Sequence, residues 1–235
     1  MARSLSSGVV GALCVCVSLV GSAPAEAQQS LGLNVGYFAV RGEDARIAED
    51  VLLENRNLFA FDIQDFSGGT VGAEWLIGIG DYFDAGVGVG FYQRTVPSVY
   101  TDFIDIDGSE IPQDFHLRIV PLTATVNVLP FGREASLQPY FGVGIGLFNW
   151  RYSEVGEFID FGNFDVFRDR FVASGNDVGG LILGGLRVPF GDRFAAGGEV
   201  RYQSVSGTVG IDQGFLNERI DLSGITTQFT FQIGF

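Results

Sequence analysis

The chain closes on ITTQFTFQIGF, and this stretch restricts what the rest of it can be. Ile225, Thr227, Phe229, Phe231, Ile233 and Phe235 fall on one face of an extended strand. Thr226, Gln228, Thr230, Gln232 and Gly234 fall on the other. An aromatic face at a chain terminus needs something apolar against it. In water that would be a further layer of protein, whereas a barrel strand turned toward lipid already has the bilayer.

The same two-residue period recurs upstream and predicts eight strands. They are expected at Leu31 to Arg41, Thr70 to Gly80, Asp84 to Val96, His116 to Leu129, Pro139 to Tyr152, Asp177 to Phe190, Phe194 to Ser204 and the terminal stretch. One face carries Val, Ile, Leu and Phe, as in Val120, Leu122, Ala124, Val126 and Val128. The other carries Gly and polar residues, as in Gly142, Gly144 and Gly146. Leu181 and Leu183 are the exception, because they share a face with Arg187. Glu74, Arg94, Arg187, Glu199 and Arg201 all fall on the Gly-rich face, and the central spans of the apolar face carry no charge. A charge facing lipid costs about 2–4 kcal/mol at the midplane, so the apolar face reads as lipid-facing and the Gly face as a crowded lumen.

Composition agrees. Gly makes up 34 of 235 residues, well above the usual ~7%. After the N-terminus no apolar run reaches the ~20 residues of a membrane helix. Inside lipid, backbone groups are satisfied only by helices and closed barrels, which leaves a barrel. The expected connections alternate: short after strands two, four and six, long after strands one, three, five and seven. That places both termini on the short-turn side.

Residues 1–27 read as a cleaved secretory signal. Arg3 is the positive residue, Val9 to Val20 the apolar run, and Ala25-Glu26-Ala27 the small-residue cleavage site. Residues 28–235 are then one barrel domain. Both cysteines, Cys14 and Cys16, lie inside the signal, and Leu13 and Val15 before them do not suit a lipidation site. The mature chain is left with no thiol or disulfide chemistry. Fourteen basic residues, all Arg, face 28 acidic ones. A net charge of −14 argues against a nucleic-acid partner.

Two segments carry a family resemblance. Val120 to Phe148, VPLTATVNVLPFGREASLQPYFGVGIGLF, resembles the strand–turn–strand unit of small outer membrane β-barrels of the OmpA and OmpX type. The closing FTFQIGF resembles the terminal strand of the same group. The Pro-Tyr-x-Gly-x-Gly unit is also similar to the outer membrane protein W family, and the two are not separated by sequence. The resemblance implies an all-β, eight-stranded antiparallel up-and-down transmembrane barrel in a Gram-negative outer membrane. It implies Phe235 as the signal read by the barrel-assembly machinery, outer membrane lipid and lipopolysaccharide as surroundings, and a monomer.

Candidate sites are few. Glu74, Arg94, Arg187, Glu199 and Arg201 are expected to form a lumen ion-pair network. An eight-stranded barrel is just wide enough to be filled by side chains, so a plug is favoured over a charged constriction. Phe158, Phe161, Phe164 and Phe167, with Phe171, fall on the third long loop and form a possible contact site for a partner or an apolar solute. Asp105, Asp107 and Glu110 surround Gly108 but lack a calcium-loop pattern, so no metal is assigned. The one histidine, His116, has no His-x-Ser neighbour, and no catalytic residue is assigned. No cofactor is expected. In the first loop Ile47 and Val51 suggest a short amphipathic helix. The leading expectation is a non-catalytic barrel with a structural or surface-interaction role. The alternative is a narrow conduit for small hydrophobic compounds, and a lipid-modifying enzyme comes last.

Overall fold

The computed structural model describes residues 28–210 and 214–235. The expected signal segment, residues 1–27, lies outside the described residues. Eight antiparallel strands close into one barrel: β1 (Gln29–Val40), β2 (Gly68–Ile79), β3 (Phe83–Ile104), β4 (Glu110–Val128), β5 (Gln138–Ile159), β6 (Val166–Phe190), β7 (Phe194–Ser204) and β10 (Gly224–Gly234). Each pairs with its sequence neighbour in the barrel, and β1 pairs with β10 to shut the seam. The last pairing explains the terminal strand. Leu33 opposes Phe231 and Val35 opposes Phe229, so its aromatic face joins a continuous outer belt.

Strands β1, β2, β7 and β10 have the expected length. The other four do not: β3, β4, β5 and β6 run for 22, 19, 22 and 25 residues. The long segments expected after strands three and five are therefore mostly strand, with tips only at 105–109 and 160–165. Among the described residues, long connections fall at 41–67 and at 205–210 with 214–223. The latter holds a small hairpin, β8 (Ser206–Thr208) with β9 (Arg219–Asp221). The former holds one helical turn and a half, α1 (Val51–Arg56), between two 3-10 turns at Glu43–Ala45 and Ile63–Phe66. The expected first-loop helix thus begins at Val51, and Ile47 stands before it.

The strand extensions escaped sequence reading because the faces exchange polarity part-way up. In β4, Leu122, Ala124, Val126 and Val128 point outward while Thr123, Thr125 and Asn127 point inward. Above them Ile111, Phe115, Leu117 and Ile119 point inward, and Asp114, His116 and Arg118 point outward. Two adjacent apolar residues mark the crossing: Ile119-Val120 in β4, Phe91-Tyr92 in β3 and Leu147-Phe148 in β5. The lower barrel is polar inside and apolar outside. The upper barrel is built like a water-soluble protein, with an apolar core and a polar wall.

Candidate functional site in the barrel interior

Three layers of side chains occupy the interior. The lowest sits at the short-turn end. Asp84, at the inward position that starts β3, accepts from Arg187 of β6 at 3.2 Å and forms an ion pair with Arg133 of the 129–137 turn at 2.8 Å. The Arg187 guanidinium also lies over the Tyr140 ring, 5.1 Å from its centroid, a cation–π arrangement.

The middle layer joins four strands. Arg201 of β7 donates to Glu74 of β2 at 3.3 Å and, from Nε, to Glu199 of β7 at 3.1 Å. Glu199 accepts further bonds from the Tyr140 hydroxyl at 3.0 Å and the Gln228 amide at 2.9 Å. Two carboxylates thus share one guanidinium, and the remaining lone pairs of Glu199 are satisfied by neutral donors, as burial of charge demands. A glycine makes room for this layer: a Cβ on Gly185 would collide with the Tyr140 ring.

Of the five residues expected to form one network, the structure brings Glu74, Glu199 and Arg201 together. Arg187 belongs to the lower layer, linked to the middle one through Tyr140. Arg94 is misplaced by the expectation. It follows inward parity, but it stands above the polarity crossing, is exposed, and donates from Nε to the Asp65 carbonyl at 2.8 Å. Parity alone does not report height along the barrel. Asp84 and Tyr140 were legible by the same parity, since they continue the inward runs of Gly86 and Gly142. Arg133 lies in a turn, where no periodicity reports it.

The upper layer is apolar and is supplied largely by the first loop. Val51, Leu52, Phe59, Phe61, Ile63 and Phe66 are buried inside the barrel mouth. Their rings meet Phe115 and Tyr100 of the wall; Phe59 and Phe115 pack edge to face at 5.2 Å. Trp150, fully buried, donates from Nε1 to Asp177 at 2.6 Å, and a Cβ on Gly207 would lie 2.5 Å from its indole. Between this layer and the middle one remains a cavity of about 50 Å³, bounded by Asn34, Thr123, Phe148 and Arg201. That volume is room for a few waters and too small for a solute.

Two polar clusters tie the loop down. At one end Arg46 pairs with Asp50 and donates to the Asp221 carbonyl at 2.7 Å, while Asp50 accepts the Asp221 N–H at 3.0 Å. At the other, the fully buried Asn55 donates to the Tyr152 hydroxyl at 2.9 Å and to Glu154 at 2.6 Å; Tyr152 donates to Glu154 at 3.0 Å. Burial is the main force on Glu154 and pushes its carboxyl up to about 7, against the pull of the two donors. Burial raises Asp50 as well, opposed by Arg46.

The remaining expectations fall on the far end. Phe161, Phe164 and Phe167 are exposed at the β5–β6 tip, with Phe161 against Phe103 at 5.6 Å. Phe158 is instead buried, edge to face on Phe171 at 4.7 Å and 6.0 Å from the Phe167 ring, so it backs the exposed rings and is not itself exposed. Asp107 accepts the Ser109 N–H and hydroxyl at 2.9 and 2.7 Å, which spends its carboxylate on the turn. His116 points outward and its Nδ1 meets the Thr95 hydroxyl at 2.8 Å. The Phe235 N–H donates to the Gln29 carbonyl at 2.9 Å across the seam, and its ring is exposed.

No family model matches the sequence, and no curated protein does. Solved structures do. Neisserial surface protein A is 10% identical over 88% of this chain and 97% of its own, with a TM-score of 0.46. Ail, the attachment invasion locus protein of Yersinia pestis, is 11% identical over 89% and 99%, with a TM-score of 0.41. Escherichia coli outer membrane protein W is 13% identical over 90% and 100%, with a TM-score of 0.42. These are likenesses of architecture alone.

Proposed function

We propose that the chain is an integral outer membrane β-barrel, packed shut inside, with a structural or surface-contact role. The exchange of polarity between its two halves carries this reading. The lower outer wall, from Leu31 to Ala39, Val71 to Ile79, Phe83 to Phe91 and so on around the ring, presents no charged side chain. Among the described residues nothing covers it, which supports an apolar solvent around it. Phe83 to Phe91 spans about 20 Å after allowing for a ~40° strand tilt, close to the ~25 Å belt of outer membrane barrels. Phe190, Phe194 and Phe231 stack on one another at the lower rim, where an aromatic girdle belongs. The wall above the crossing is polar and reads as lying outside the membrane, with the exposed Phe161, Phe164 and Phe167 at its tip as the surface-contact site.

In this reading Phe235 is the assembly signal and the barrel acts as a monomer without catalysis. The layers of ion pairs and the first loop act as plugs. Planar-bilayer recording tests this: we expect no conductance above the empty bilayer, and steady open channels would overturn it. The apolar upper interior supports a second reading, a conduit for small hydrophobic compounds that opens when the first loop leaves. Hydrophobic-dye uptake into liposomes above that of protein-free liposomes would favour it.

A further inference from the structure

Six arginines of this chain sit against carboxylates: Arg41, Arg46, Arg56, Arg133, Arg187 and Arg201. Arg118 and Arg151 do not. They point outward and stand directly opposite each other on β4 and β5. Like charges in that position repel, and among the described residues no carboxylate comes within ion-pair distance of either. The Arg118 Nε is buried and has no hydrogen-bond partner. A shallow groove joins them to Gln93, His116, Ser153 and Arg170, an all-donor or neutral lining in a molecule of net charge −14.

The height of this groove identifies its ligand. In register across β3, β4, β5 and β6, Val89, Leu122, Leu147 and Val178 form an exposed apolar row. Two outward positions higher the row reads Gln93, Arg118, Arg151 and Ser174. If the apolar belt lies in lipid, Arg118 and Arg151 lie where headgroups begin. A guanidinium pair with no protein anion, fixed at headgroup depth, is matched by a phosphate monoester, which each Arg can bind through two N–H groups. We propose that this groove binds a phosphate group of the outer-leaflet saccharolipid, lipopolysaccharide, with Arg118 and Arg151 as the bidentate pair and His116 and Arg170 above them. The inference rests on the membrane reading given above.

The test uses the barrel folded in zwitterionic detergent and native mass spectrometry with two probes, bisphosphorylated and dephosphorylated forms of the acylated glucosamine disaccharide. We expect the phosphorylated form to bind at least tenfold tighter. The double variant R118Q/R151Q should lose that preference while keeping the folded barrel's mobility on a gel, and the loop variant R56Q should keep it. Equal binding of the two lipids, or an unchanged preference in R118Q/R151Q, overturns the site. Displacement of the lipid by equimolar inorganic phosphate also overturns it, by assigning the groove to a free anion. A barrel that enters micelles and fails these arms sinks only this inference; a chain that refuses micelles sinks the membrane reading beneath it.

Discussion

Glu199 accepts from Arg201 on its own strand, from Gln228 directly opposite on β10 and from Tyr140 on β5. Replacing it with Ala leaves Arg201 and Tyr140 buried without that partner, a change that costs about 3–5 kcal/mol when a buried pair is broken. We expect a corresponding loss of stability in urea titrations read by heat-modifiable gel mobility, with conductance still absent. Arg94→Ala, on an exposed residue whose bond goes to a backbone carbonyl, should leave the titration unchanged; equal losses for the two variants would refute the layer assignment. Glu154 predicts a pH dependence. Its carboxyl stands at about 7 when the loop is seated, against an ordinary 4.5. The folded state therefore holds its proton more tightly, so its contribution is complete below about 4.5, falls as pH rises through about 7, and then levels off. Asp50, raised by burial too, shifts stability in the same direction. Hydrogen-exchange protection factors over residues 51–59, with the base-catalysed intrinsic rate divided out, should be lower at pH 8 than at pH 5, and Glu154→Gln should flatten that difference.

At the scale of elements, what was legible is what two-residue parity reports. The eight strands, their order and the inward direction of Glu74, Glu199, Arg187 and Arg201 all follow from it. Parity carries no height, which is why Arg94 was grouped with residues far below it. It also hides an extension whose apolar and polar faces trade places: from Ile119 upstream, β4 keeps alternating, but Ile119, Leu117 and Phe115 now face in. The first loop was the least legible. Its short α1 has no side-chain cap, and Phe59, Phe61 and Ile63 alternate over too short a stretch to stand out as a strand before Phe66 breaks the period. Their burial makes the loop a folded element in its own right. Leu52→Ala removes a fully buried side chain, a change that costs about 2–5 kcal/mol in a core. Trypsin should then cleave after Arg46 and Arg56 much faster than in the parent chain, while the barrel itself stays intact on a gel. Unchanged cleavage would mean that the loop is not held by its apolar contacts.

Across the whole molecule, one tube serves two solvents. Its lower half sets a polar interior against an apolar exterior, and its upper half does the reverse, with the crossing at Phe91-Tyr92, Ile119-Val120 and Leu147-Phe148. Lipid around the first half and water around the second satisfy both at once; no single solvent does. The chain beyond residue 27 contains no cysteine, so a label can be placed at any one site. The most direct test is a pair of single-cysteine variants on the same outward face of β4, Val126→Cys and Asp114→Cys, labelled with a fluorophore in liposomes containing nitroxide-bearing lipids and aqueous iodide. The account predicts that lipid nitroxides quench the label at 126 and iodide does not, with the reverse at 114; equal quenching of both labels by iodide would contradict it.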